Sequence, residues 1–588
     1  MTDEIDSGID AQVASIGSPD FTSFIHNFYR TSRIELAQIV DQIRLRKDAW
    51  VRLSFSERIA ILDKILTDLI AIKDRWVETE RVAKGNPAGS GGEAEEWVIL
   101  ATVFRAIRKL RSSLVEIEKY GRPKFKGSPI TRGDGQVIVR VFPKTLDDRA
   151  LFPGVNGEVW MEPGVSAEEV IKTQAWAYRD DALDGKVALV LGAGNAAILP
   201  VIDVLHKLFV ELQVVVLKLN PVNSHMGPLF EEGFRALIDR GYMRIVYGAA
   251  EEGSYLCNHP GIDDLHMTGS DKTYEAIVFG PGEEGRRLKA QRKPKIIKRF
   301  TAELGNVSPV IVVPGPWTNR EIQQQARYIS TWLVANAGFA CLTPRVIIQH
   351  TSWKQRIDLI NTIEQVLNQV PTRKAYYPGS YQRHTEFITQ HPEALQLGSK
   401  RADHLPWTLI ADVDPSRTND ICFKREAFCG LCAETGLDAS SIPDFLDRAV
   451  KFANETLWGT LSATLIVHPA SLSDPHVANA VNQAIDKLRY GTVSVNMLAY
   501  YCAYLMATPW GAFPGSDIYD IQSGVGKTFN TLMFARPSKS VVRAPFKRLE
   551  PTEVMSKHAV ELCKKLAEFE ASPSARSLAV LGLLALRS

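Results

Sequence analysis

Three stretches of this sequence carry residue types at spacings suited to chemistry. Leu191 to Ala197 reads LGAGNAA, a glycine turn of the GxGxxG/A kind that lets backbone approach a pyrophosphate at a helix N-terminus. In that pattern an Asp or Glu follows about 20 residues on and accepts hydrogen bonds from the adenosine ribose. Here the second strand, VVVLK, ends in Lys218, which donates but does not accept, so half of the pattern is present. Cys429-Gly430-Leu431-Cys432, with Cys422 seven residues upstream, has the spacing of thiolate ligands. It lacks a second CxxC and a neighbouring His, and no metal site is expected. Arg286 to Arg299 holds eight basic residues and no acidic one. It reads as a solvated insertion, or more sharply as an anion-attracting rim for a phosphorylated or CoA-bearing substrate. Without interleaved aromatics it does not read as a nucleic-acid surface.

These groups must be positioned by an alternation of strands and helices. Residues 21 to 119 are helical in pattern, with Ile59, Ile61, Leu62, Ile65, Leu66 and Leu69 near helical period; no chemistry is visible there. Gln136 to Phe142 alternates as a strand, and Gly157 to Met161 follows a turn-rich PGVNG as a second, which predicts a β-hairpin or arm. Strands over 187–191, 214–217 and 244–247, separated by helices over 198–212 and 226–240, outline a Rossmann-like nucleotide domain. A second α/β set follows Glu303, with strands over 310–313, 346–349, 463–467 and 491–496.

Length and composition set the frame. At 588 residues the chain exceeds the roughly 250–300 residues at which single cores stop growing, so at least two domains and a cleft between them are expected. Sixty-nine basic against 67 acidic residues argue against a polyanionic partner. Seven sparse cysteines, an odd number, fit a reducing compartment, the cytoplasm, and not a disulfide framework. Met1 to Asp20 has neither signal nor transit character and reads as a disordered tail. The apolar run 578–586 falls short of the about 18 residues a membrane span needs. It reads as a helix docked on the body or a partner subunit, with membrane-surface contact the less favoured reading.

Several segments then resemble, in order, landmarks of the aldehyde dehydrogenase superfamily. Asn195 and Lys218 resemble the family's Asn and the Lys that ends its VLKP-type strand. Thr268-Gly269-Ser270 resembles its FTGS turn, Glu303-Leu304-Gly305 the start of its ELGG motif, and Asn336 to Cys341 its NxGQxC segment. Glu426-Ala427-Phe428 resembles EIFGP, and Gly491 to Asn496 resembles GTVxVN. The resemblance spans roughly residues 130 to 545. Taken alone, Cys341 is a buried structural thiol, Glu303 a surface carboxylate and Asn195 a helix N-cap; the ordered set reverses those readings.

What the resemblance implies is oxidation of a small-molecule aldehyde with NAD or NADP. Cys341 would be the nucleophile and Glu303 the base that activates the hydrolytic water. Asn195, with the Cys341 backbone N–H, would form the oxyanion hole. Lys218 would hold the adenosine ribose, Gly269 and Ser270 would lie at the pyrophosphate, Glu426 would hold the nicotinamide ribose, and Phe428 would pack beside the ring. The implied fold is α/β: a Rossmann-like cofactor domain, an α/β catalytic domain and a β-arm for oligomerisation into a homodimer or tetramer. The expected partition is a tail (1–20), a helical part of the cofactor domain (21–130), the arm (131–165), the cofactor core (166–302), the catalytic domain (303–505), and a return through cofactor domain and arm to a helical tail (506–588). This sequence departs from the family at Ala193-Gly194-Asn195-Ala196, at Leu219, at Asn306, at Phe339-Ala340, and at Pro221, where an acidic residue is frequent. Those changes leave substrate scope and NAD against NADP open. A CoA-acylating enzyme or acyl reductase, and a catalytically silent scaffold, are the rival readings.

Overall fold

The computed structural model describes residues 16–18, 29–180 and 182–585. Most of the expected N-terminal tail therefore lies outside the described residues, but 16–18 are seated against the body, as set out below.

Near-continuous apolar runs such as VALVL (Val187–Leu191) and VVVLK (Val214–Lys218) belong to strands covered on both faces. They form a six-stranded sheet in the order Gly524–Val525, Phe300–Glu303, Asp264–Thr268, Val187–Leu191, Val214–Lys218, Met243–Val246. All neighbours are parallel except the short first strand. From Val187–Leu191 the chain steps outward to one side through two strands, then returns to pair Asp264–Thr268 on the other. Such a switch point opens a crevice at the carboxyl ends of the strands, and Lys218, Thr268 and Glu303 all end strands there.

The second sheet has eleven strands. Its centre is parallel: Thr492–Val495, Ser462–Ile466, Ser308–Val312, Pro344–His350, Leu431–Leu437 and Trp407–Ile410. The hairpin strands Val137–Phe142 and Asn156–Met161 do form, separated by a short helix, Leu146–Leu151. They do not stand away from the body. Asn156–Met161 pairs with Pro537–Arg543, which pairs in parallel with Thr492–Val495, so the arm extends its own chain's central sheet.

The N-terminal helices Arg33–Arg44, Phe55–Ala83 and Gly91–Tyr120 share one apolar core with the six-stranded sheet. Helix Ala559–Ala571 lies along Gly91–Tyr120, and Leu581 and Leu584 of the terminal apolar helix are buried on the body. No described helix is long and apolar enough to cross a membrane. The basic run is helical at its start and a connecting segment over 291–299. Its first part lies in helix Gly282–Ala290, and three of its eight charges meet acids: Lys289 on Glu275, Lys295 on Glu284, and Arg299 on Glu211 and Asp264.

Arg105, 2% exposed, sits where three helices meet and binds Glu570 at 2.9 Å and Asp148. Glu570 also takes Arg108 and the Tyr504 hydroxyl. Removing one partner of such a buried pair strands the other charges, at a cost of about 3–5 kcal/mol. Arg105→Ala is therefore expected to lower the unfolding free energy obtained from guanidinium titration by an amount in that range, while Lys64→Ala, on an exposed pair with Asp68, changes it by under about 1 kcal/mol.

Candidate active site

All eight residues singled out in the sequence, Cys341, Glu303, Asn195, Lys218, Gly269, Ser270, Glu426 and Phe428, line one cleft of about 1060 Å³. It opens at the carboxyl ends of the six-stranded sheet and reaches the second lobe.

Cys341 follows a turn that ordinary residues resist. Asn336, Ala337 and Gly338 take φ of 50°, 55° and 78° in succession, and each non-glycine residue held there costs of order 1–3 kcal/mol. Several bonds oppose that cost. The Asn336 amide N–H donates to Glu95 Oε2 at 2.9 Å, and its side chain donates to the carbonyls of Asn195 and Phe339. Arg345, fully buried, donates to the carbonyls of Gly338, Ala340 and Cys429. Gly338 is required for space as well, because a Cβ there would fall 2.4 Å from the Cys429 carbonyl carbon. Asn195 Nδ2 donates to the Phe339 carbonyl at 2.9 Å. The helix it precedes is capped at Ala197 without a side-chain bond, so Asn195 faces the nucleophile turn and is not an N-cap.

Cys341 Sγ donates to Glu303 Oε1 at 3.4 Å. Glu303 is 3% exposed, and among the described residues its other oxygen meets no well-aligned hydrogen-bond donor. Burial pushes its pKa up to about 7, reinforced by the charge of Asp203 and opposed by Trp510 and the thiol. The thiol is itself pushed well above its usual value, first by burial and then by the Glu303 charge. Near neutral pH the pair thus holds a thiol beside a carboxyl group at its own titration point.

Lys218 is 8% exposed, and burial lowers its ammonium to about 8. Ser270 caps helix Asp271–Phe279, accepting from the Thr273 amide, which leaves the first-turn amides at the cleft edge. Glu426 is buried, receives the Asn306 amide at 3.3 Å, and is raised to about 7 by burial against the opposing charge of Arg345. Phe428 joins Phe339 and Tyr377 in an aromatic wall.

The seating of the N-terminal segment has no signal in local composition. Gly17 donates to the Lys424 carbonyl and accepts from the Glu426 amide, while Ser18 donates from its backbone to Asp271. Residues 16–18 thus touch both lobes beside Glu426, and Arg30 also lines the cleft. Tyr376 was missed too; its hydroxyl donates to the Asn195 carbonyl. Only the adjacent tyrosines at 376 and 377 offered any sequence signal. As for the cysteine cluster, Cys422 lies with His391 and Asp420, ligand atoms within 4.8 Å of one another. Both imidazole nitrogens there are already engaged, by Glu393 at 2.8 Å and Asp420 at 3.0 Å.

The aldehyde dehydrogenase family model matches residues 199–377. Over that segment the chain is similar to the aldehyde dehydrogenase family. Among curated relatives, it is 25% identical over 311 residues to aminoaldehyde dehydrogenase 2 of Solanum lycopersicum, covering 49% of this chain and 53% of that one. It is 27% identical over 224 residues to 4-trimethylaminobutyraldehyde dehydrogenase A of Danio rerio, covering 36% and 37%. The chain thus spans about half the length, or less, of the curated relatives it matches. Among solved structures, aldehyde dehydrogenase C of Pseudomonas syringae superposes with a TM-score of 0.58 at 17% identity, covering 89% of this chain and 91% of that one. The aldehyde dehydrogenase KauB of Pseudomonas aeruginosa gives 0.59 at 17%, covering 88% and 90%. At such identities the likeness speaks to fold. The aldehyde dehydrogenase family match takes in Lys218, Gly269, Ser270, Glu303 and Cys341, whereas Asn195, Glu426 and Phe428 lie outside it and join the cleft through the fold.

Cys341 is partly exposed and the other six cysteines are buried. Native alkylation with iodoacetamide is therefore expected to label one thiol per chain, and none in Cys341→Ala. Glu303→Gln removes a neighbouring negative charge, so the pH midpoint of labelling should move down; an upward or absent shift would show that the carboxylate does not face the thiol.

Proposed function

We propose that this chain is an NAD(P)-dependent dehydrogenase that oxidises an aldehyde to a carboxylic acid through a covalent intermediate on Cys341. The observation that carries the reading is the 3.4 Å contact between Cys341 and Glu303, made on the floor of a cleft that also gathers six further residues placed by the family pattern.

The cleft suits a dinucleotide. Lys218 presents a desolvated ammonium at the end of the second strand, a position that meets the adenosine ribose. Ser270 and the following amides form an anion-favouring helix N-terminus. Glu426 would take the hydroxyls of the second ribose, and Phe428 would lie beside the nicotinamide. When bound, the oxidised nicotinamide supplies a hydride acceptor.

In the first step Cys341 Sγ bonds to the aldehyde carbon and its proton passes to Glu303. The oxygen that gains charge is held by Asn195 Nδ2 and the Cys341 backbone N–H; one such donor is typically worth about 10²–10³ in rate. Loss of hydride from the carbon leaves a thioester on Cys341. Glu303, after passing that proton to solvent, takes one from water as the water attacks the thioester carbon, and the C–S bond breaks to release the acid and a Cys341 thiolate, which takes the proton back from Glu303. A carboxylate with pKa about 7 suits this task, since a base works best when its pKa lies near the operating pH.

Purified protein is expected to reduce NAD+ or NADP+ with a panel of short, long and aromatic aldehydes in the absence of CoA, and Cys341→Ala to be silent. Asn195→Ala should lower kcat by about 10²–10³. Because the ionised form of Glu303 is the active one, the rate should fall about tenfold per pH unit below about 7 and level off above it, a limb that Glu303→Gln should lack. Turnover seen only when CoA is added would overturn the hydrolytic step.

A further inference from the structure

A strand covered on both faces reads as apolar throughout, and Asp264–Thr268 does not. Its residues alternate between faces, so Asp264, His266 and Thr268 share one, and all three are buried. The neighbouring strand runs in parallel register with it, His266 opposite Thr301 and Thr268 opposite Glu303, which puts the Glu303 side chain on that same face. Helix Ile198–Phe209 packs over the face and brings in Asp203, 0% exposed. A sheet of this kind needs no acid or imidazole between strand and helix, and burying them costs free energy that apolar side chains would not.

Asp203 Oδ2 accepts from the Thr268 hydroxyl at 2.9 Å, and His266 Nε2 stands 3.2 Å from Oδ1. His266 Nδ1 lies 2.8 Å from the Thr301 hydroxyl. Asp203 is thus one side chain, Thr268, away from Glu303. Among the described residues, Asp203 Oδ1 and Glu303 Oε2 each meet no well-aligned donor. From its other sides Glu303 is met by the Cys341 thiol and Trp510. The remaining charges of the layer are matched at its far end: Glu211 takes His206 at 3.4 Å and Lys207 at 2.9 Å, and Arg299 joins Glu211 and Asp264. Two carboxyl groups in one dry layer cannot both ionise cheaply, and the Asp203 charge accordingly raises the proton affinity of Glu303.

We propose that Asp203, seated by Thr268 and His266, is a positioning residue that acts through Glu303: its negative charge makes Glu303 a stronger base, able to take the proton of the Cys341 thiol and later that of water. The inference rests on the reading of Glu303 as the base of the proposed reaction and adds the residue that strengthens it.

The test is an infrared pH titration of the full chain, which reads the protonated Glu303 carboxyl directly and requires neither cofactor nor turnover; the band is assigned by its loss in Glu303→Gln. In wild type it should titrate near pH 7. In Asp203→Asn, which keeps the shape and an acceptor for Thr268, the midpoint should fall by about one pH unit, about a tenfold loss of proton affinity. The acid limb of turnover should move down with it while the plateau rate falls, as for a weaker base. Asp203→Ser removes the same charge and should give the same shift if Asp203→Asn does not fold. An unchanged or raised midpoint in folded protein would overturn the inference and leave the dehydrogenase reading standing. A Glu303 band that does not titrate near neutrality would overturn it and remove Glu303 as the base of that reading as well. The expected shift in protein that oxidises no aldehyde would uphold the coupling and defeat the dehydrogenase reading alone.

Discussion

The contact between Cys341 and Glu303 joins two sheets. Glu303 ends a strand of the six-stranded sheet, and Cys341 lies between a helix and a strand of the eleven-stranded lobe. A distance of 3.4 Å across that seam holds only if both lobes keep a fixed relation. Two acidic groups in a dry floor also cannot both ionise cheaply. The proton they share is the quantity the cleft controls, and burial sets where it sits.

Much of the surrounding structure acts as a restraint on the nucleophile's side of that contact. The left-handed run over Asn336 to Gly338 is held from three directions: from the N-terminal helix by Glu95, from the catalytic strand by Arg345, and from the cofactor lobe by the Asn195 carbonyl. Glu95 is itself fixed by Arg373 at 2.8 Å. A turn over-determined in this way keeps the thiol in place at the expense of local backbone energy.

The parallel sheets were legible because their strands are apolar throughout and are punctuated by glycine turns, and the site was legible because its residues sit at strand ends and turns in a fixed order. Asn195, Lys218, Glu303 and Cys341 needed only local pattern and order to be found. Glu95 was not legible: helical period describes how a helix packs, and says nothing of which polar residue on it meets a turn 241 positions away. Ser18 is the stronger case: its amide donates to the Asp271 carboxylate 253 residues distant, from a segment whose composition resembles a tail. The basic run shows another limit of reading along the chain. Two of its charges, Lys289 and Arg299, look uncompensated along the chain because their partners Glu275, Glu211 and Asp264 come from other elements. The arm was read correctly as strands, but which sheet a strand edge joins is decided by the path of the whole chain.

That path has a consequence for how the molecule meets others. With Pro537–Arg543 seated on Thr492–Val495, the long strands have their backbone groups paired internally. What remains at the margins is brief: Ile130–Thr131 and Leu395–Leu397 on the large sheet, and Gly524–Val525 and Met243–Val246 on the small one. Margins of two to four residues offer too few free amides and carbonyls to template a neighbouring strand. Short margins of this kind blunt fibre-like growth along both sheets.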